Sequence, residues 1–305
     1  MMLPVNLRLL RAMAAAVVAT AMLPGAPLLG VPAALAAAEQ AAVDRELIAA
    51  ATSGDLAKCT AGLAQGANVN AVNEYGSTAL IWAASHGHAE ICRVLIVAGA
   101  DVNLTNQDGL SALTCAAREG HTAIVNALMS AGSKIDVVTH QSAYTALTMA
   151  ASNGHMEVVS ALILAGANLN AASKKGFTAL LLAAYYRHAG VVQQLIAAGA
   201  NLNALTQTGG SALSLAAHNG HAGIVQQLIA AGANVNAVDE AGWTSLMHAA
   251  YDGHAGIVQQ LIAAGADLNA LTQKGSSALS LAAHNGHTEA VQLLIAAGAK
   301  VPPAL

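Results

Sequence analysis

Residues Gly209–Ala241 read GGSALSLAAHNGHAGIVQQLIAAGANVNAVDEA, and most of the chain is a set of variations on that phrase. It contains a small-residue turn, a short apolar run, Asn219-Gly220-His221, a second apolar run and Ala231-Gly232-Ala233-Asn234. The histidine after the turn recurs at His88, His121, His155, His188, His221, His254 and His287, in steps of 33, 34, 33, 33, 33 and 33 residues. The hydroxyl that opens each first run keeps the same beat, at Thr78, Ser111, Thr145, Thr178, Ser211, Thr244 and Ser277. A fixed period of this size builds a stack of small units rather than one globular core.

One unit, Gly76 to Asp108, shows how the local signals work. Thr78 precedes an apolar run and is placed to cap a helix, its hydroxyl accepting a first-turn amide. The run Ala79–Ser85 predicts a short helix with Leu80, Ala83 and Ala84 inward. His86-Gly87-His88 is the turn, where Gly87 supplies a positive φ. A second helix is expected over Ala89–Ala98, ended by Gly99, and the next residues form an extended, turn-rich finger. Helices this short do not persist alone, so each unit must bury its faces against its neighbours.

Composition agrees. The 305-residue chain is 55% hydrophobic, but only 3% aromatic and 9% charged. The apolar mass is alanine and leucine, which suits helices that approach closely. Mean hydropathy is +0.53, yet the apolar runs after residue 40 are far shorter than the ~20 residues of a spanning helix. Formal charge is −4 with no basic stripe, so a nucleic-acid partner is not expected.

Residues 1–38 break the period. Arg8 and Arg11 form a basic start, Ala12–Ala38 carries no charge, and Ala34-Leu35-Ala36 and Ala36-Ala37-Ala38 are small-x-small sites before Glu39. This pattern predicts a secretory signal peptide of bacterial kind, and hence a periplasmic or secreted product without a membrane anchor after processing. An uncleaved anchor is the alternative, opposed by Pro24, Pro27 and Pro32, which break a continuous helix. Cys59, Cys92 and Cys115 fit no disulfide framework and are expected as small buried residues.

The repeated pattern resembles the ankyrin-repeat family over about residues 43–300. The residues carrying the resemblance in one unit are Gly176-Phe177-Thr178-Ala179-Leu180, then Ala183-Ala184, Val192, Leu195-Ile196 and Gly199-Ala200-Asn201-Leu202-Asn203. The chain departs from the family where Thr-Pro-Leu-His is expected. The proline is Ala or Ser throughout, and the histidine is Ile81, Thr114, Thr148, Leu181, Ser214, Met247 or Ser280. A preorganised first turn and a hydrogen-bonding ring are therefore expected to be missing, at a cost in stability. Unit four has one extra finger residue, with Ala143 where glycine is usual. Unit five has Arg187 at the inter-helix glycine.

The expected organisation is a leader over 1–38, a capping unit over 39–75, six repeats over 76–274, and a capping unit with tail over 275–305. The fold expected is an all-α ankyrin-repeat solenoid of helix-turn-helix units with extended fingers. Within it, His188–His221 and His254–His287 differ at four places only: Val191/Ile257, Asn201/Asp267, Thr208/Lys274 and Gly210/Ser276.

The resemblance implies a scaffold that binds another protein on its concave side, through finger positions and the two residues closing each first helix. On this chain the implied contacts are Tyr75, Arg118, Glu119, Tyr144, Lys174, Lys175, Phe177, Tyr185, Tyr186, Trp243, Tyr251 and Asp252. Seven of the eight aromatic residues fall at such positions, Trp82 being the exception. Large, stiff side chains with a polar handle suit an interface; the alternative is that they pack finger against helix. The densest cluster is Lys174, Lys175, Phe177, Tyr185 and Tyr186. An exported effector acting on a host protein is the second binding reading.

The twelve histidines raise a metal- or haem-binding alternative. His221 and His287 belong to the repeated Gly-His, however, and are expected to hydrogen-bond across their turns, so no metal or cofactor is expected. No phosphate loop, His-Glu-x-x-His or nucleophile elbow is present, and no enzymatic activity is expected. A monomer is expected.

Overall fold

The computed structural model describes residues 31–300. Eight two-helix units follow one another. Their first helices are α1 (Val31–Ser53), α3 (Ala79–Ser85), α5 (Ala112–Glu119), α7 (Ala146–Asn153), α9 (Ala179–Tyr185), α11 (Ala212–His218), α13 (Ser245–Tyr251) and α15 (Ala278–His284). Their second helices are α2 (Leu56–Ala64), α4 (Ala89–Val97), α6 (Thr122–Ser130), α8 (Met156–Leu164), α10 (Ala189–Ala197), α12 (Ala222–Ala230), α14 (Ala255–Ala263) and α16 (Thr288–Ala296). First helices pack in one row and second helices in another, each against the equivalent helix of the next unit. The expected all-α solenoid is the fold found.

The core is two ladders of leucine. Leu47, Leu80, Leu113, Leu147, Leu180, Leu213, Leu246 and Leu279 line the first row, and Leu95, Leu128, Leu162, Leu195, Leu228, Leu261 and Leu294 the second, all buried. Each first helix from α3 to α13 adds a fully buried alanine pair, such as Ala83-Ala84 and Ala216-Ala217. These small residues let the first helices contact one another more extensively than the second helices do.

Polar ladders tie the units together. His88, His155, His188, His221, His254 and His287 place Nε2 at 2.9–3.2 Å from the carbonyls of Thr52, Arg118, Ser152, Tyr185, His218 and Tyr251. Those acceptors lie in the preceding unit, so the expected bond across the local turn is replaced by a bond between units. The glycine of the preceding turn makes room for the ring: a Cβ on Gly154 would stand 2.5 Å from His188 Nδ1. A second ladder runs through asparagine. Asn70, Asn103, Asn170, Asn203, Asn236 and Asn269 each accept, at 2.8–2.9 Å, the backbone N–H of a residue 31 positions on. Asp44 begins this ladder by accepting from Asn68 N at 2.7 Å, so it is a structural acceptor as well as an end-cap polar group. Fingers add a third set, including Gln207 N to Lys175 O at 2.9 Å and Gln273 N to Ala241 O at 3.0 Å.

The expected penalty at the lost histidine is corrected in four units. Thr114, Thr148, Ser214 and Ser280 accept the backbone N–H of Ser111, Thr145, Ser211 and Ser277 at 2.8–2.9 Å. The cap hydroxyls accept the reciprocal amide bonds, completing capping boxes. A hydroxyl three residues into the helix thus makes a bond to the cap amide, and helix entry is satisfied without proline.

Two residues other than glycine have positive φ among the described residues: Ala143 at 56° and Arg187 at 67°. They are the two departures expected from the sequence, so the backbone keeps the family conformation and the side chains bear the strain.

α1 runs unbroken through Ala38 and Glu39. Residues 1–30 of the expected leader and 301–305 of the tail lie outside the described residues. No described helix is long and apolar enough to cross a membrane.

Candidate partner-binding groove

The groove has a floor and a lip. The floor is a row along the first helices, one residue in each of units two to eight: Trp82, Cys115, Met149, Leu182, Leu215, His248 and Leu281, of which Cys115 and Leu182 are buried and the rest half-buried. The lip is the fingers. Each finger is closed by a side chain that accepts its own backbone amides; Asp239 Oδ1, for example, accepts from Ala241 N at 2.9 Å and Trp243 N at 2.8 Å. These bonds fix the residue that follows the finger glycine, which is Tyr144, Phe177 or Trp243 in units four, five and seven.

The seven aromatic candidates divide into two groups. Tyr75, Tyr185, Tyr186 and Tyr251 are 58%, 39%, 50% and 42% exposed. Phe177 and Trp243 are half-buried and pack on the core, and Tyr144 is half-buried. Trp243 lies 5.0 Å from the His248 ring and 5.3 Å from the Tyr251 ring between centroids. It therefore holds finger to helix, as the packing alternative anticipated. Tyr185 and Tyr186 meet edge to face at 4.9 Å. The Tyr144 hydroxyl is pushed up by burial and then by the Tyr186 phenol.

Four of the five charged candidates already have partners. Arg118 Nε donates to Glu119 Oε1 at 2.8 Å, Lys174 Nζ donates to His140 O at 2.7 Å, and Asp252 Oδ2 lies 2.7 Å from His218 Nδ1. Such exposed pairs contribute little to stability, ~0–1 kcal/mol each. Lys175 is exposed.

Two residues of the groove, Trp82 and His248, were missed in the sequence, whereas His218 and Gly210 stand at finger and helix-closing positions the family resemblance marks. Trp82, in the floor row, lies 5.7 Å from His86 between ring centroids; its helix-interior position reads as core. His248 occupies the equivalent floor position in unit seven, 3.3 Å from Asp239 Oδ2. Burial lowers its proton affinity, and the Asp239 carboxylate opposes that only in part. The ring of His218 stands edge to face with it at 5.5 Å.

No group of three or more metal-ligating side chains is clustered for a metal among the described residues, and six of the inter-helix histidines are engaged by carbonyls. Cys59, Cys92 and Cys115 are free and buried. Burial pushes the Cys92 thiol up to about 12 and the Cys115 thiol to about 11, so neither supplies a thiolate at neutral pH.

The family model described as ankyrin repeats (3 copies) matches residues 47–141, 136–206 and 213–303. The first two matches overlap in the finger of unit four, where the extra residue sits. No curated protein sequence matches the chain. Proteins built of these repeats bind other proteins and are typically non-enzymatic. The chain belongs to the ankyrin-repeat family and is a protein–protein interaction scaffold.

Proposed function

We propose that the scaffold captures a partner protein on the groove formed by the fingers and first helices, centred on units four to seven. The observation that carries this reading is the exposure of Tyr75, Tyr185, Tyr186 and Tyr251 on that one face. Exposed tyrosines bring large contact area with few rotors to freeze. The ladders hold the groove's backbone in place before binding, so little free energy goes into ordering it.

We further propose that the partner is met outside the cytoplasm, in the periplasm or beyond. The basic start, the uncharged stretch Ala12–Ala38 and the small-x-small sites support this. Mass spectrometry of fractionated cells should find a mature amino terminus at Ala37 or Glu39 in the envelope or medium. Intact chain confined to the cytoplasm would refute export.

The groove is tested by capture from envelope extract, with the wild-type chain beside a Tyr185→Ala, Tyr186→Ala, Tyr251→Ala variant. A protein retained by the first and lost by the second identifies the partner. Equal retention by both moves the site to another face. Tyr251 is the better third position than Trp243, whose removal would also loosen a finger.

A further inference from the structure

Between units six and seven the groove deepens into a pocket of about 360 Å³. It exists because of one missing side chain. Where units four, five and seven carry Tyr144, Phe177 and Trp243, unit six carries Gly210. Its φ lies outside the positive range, so its backbone does not require glycine. A Cβ there would meet Thr206 Oγ1 at 3.1 Å and Leu215 Cδ2 at 3.6 Å, a fit that needs only a small shift. Unit eight, a near copy of unit six, has Ser276 at this place. The opening therefore belongs to unit six.

The pocket's lining includes apolar Leu215 and the carboxyl-bearing Asp239 and Glu240, with His218 and His248 on its sides. His218 brings in Asp252 through their 2.7 Å contact. Three carboxylates thus gather at one opening. Among the described residues no lysine or arginine forms an ion pair with any of them. His248, held below its ordinary range by burial, adds no cation at neutral pH. An apolar wall with an anionic mouth matches a long aliphatic stem ending in a positive charge.

We infer that this pocket takes the side chain of a lysine or arginine from the bound partner, its stem on Leu215 and its charged head among Asp239, Glu240 and Asp252. This rests on the groove being the binding face. It adds a specificity determinant there: one basic residue held between the finger aromatics Phe177 and Trp243 of the flanking units.

The test uses the purified, isotope-labelled chain and three probes, the N-acetyl methylamides of arginine, lysine and norleucine. Amide signals of Gly210 and Ala241 and the indole N–H of Trp243 report on the pocket. A saturable shift is expected with arginine and lysine but not norleucine. It should be lost in Gly210→Phe, which installs the residue unit five carries at this position, and in a Glu240→Gln, Asp252→Asn variant whose changes lie at the groove surface. No saturable shift, an equal shift with norleucine, or a shift that survives both variants would overturn the inference. A silent pocket combined with partner capture that still depends on Tyr185, Tyr186 and Tyr251 would sink the pocket alone. Capture indifferent to those tyrosines would sink the groove reading itself.

Discussion

The two faces of the stack are built from different kinds of sequence. On the second-helix side, α10, α12 and α14 read AGVVQQLIA, AGIVQQLIA and AGIVQQLIA. On the first-helix side, the same three units close their helices with Tyr185-Tyr186, His218-Asn219 and Tyr251-Asp252. The near-constant face supplies one of the two leucine ladders and changes by one methyl group over three units. The changing face supplies exposed rings and charges. One side of each unit solves the packing problem in the same way every time, leaving the other free to differ.

The largest effect expected from breaking this comparison is on the constant side. Leu228 is fully buried, and Leu228→Ala should lower unfolding free energy by about 2–5 kcal/mol in a urea titration. The exposed Tyr186→Ala should stay within about 0.5 kcal/mol of wild type. A similar loss at both positions would erase the distinction.

A smaller effect is expected at the entries of the first helices, where a side chain caps the helix. Thr148 bonds the Thr145 amide at 2.8 Å, and Thr145→Ala removes the cap hydroxyl from that reciprocal pair. It should cost about 1 kcal/mol in the same titration. Arg187 works in the opposite direction. Its φ of 67° burdens a side-chain-bearing residue with a left-handed backbone, and Arg187→Gly should raise stability by on the order of 1 kcal/mol or less. Lower stability in that variant would show that the arginine side chain makes a compensating contact.

The smallest effect is a pH dependence on the changing side. His248 has lowered proton affinity in the fold, chiefly by burial, so the unfolded chain takes up its proton first. Its contribution to stability is complete above the ordinary histidine range. It declines as pH falls through that range, until the folded ring also protonates. Asp239, Asp252 and His218 face it, the two carboxylates favouring its protonated form and His218 opposing it. Leu215 and Leu281 occupy the equivalent floor position, so His248→Leu should flatten the stability profile between about pH 7.5 and 5.5. An unchanged profile would assign the dependence to other groups.

Much of this architecture was legible in the sequence, because a period of 33 residues with a hydroxyl, a glycine and a histidine in fixed places leaves few alternatives. Helix ends at Thr78 and Ser85 follow from local cap chemistry. The destinations of the side chains were harder to read. Spacing shows that His188 follows Gly154 by a repeat, but whether its ring turns to its own helix or to Ser152 O is decided by packing between units. Thr148 in place of histidine looks like a lost hydrogen bond until its hydroxyl is seen on the Thr145 amide. In the groove, aromatic positions such as Tyr185 were readable from their place in the unit. Trp82 lies outside the finger and helix-closing positions that the family resemblance marks, and the pocket beside Gly210 depends on how two neighbouring units pack.

The most direct test of the account pairs two readings on one variant, Tyr185→Ala with Tyr186→Ala and Tyr251→Ala: thermal unfolding and capture of the partner from envelope extract. The account predicts a melting curve close to wild type and loss of capture. A stack that melts early, or one that still retains the partner, would contradict the division of labour between the two faces.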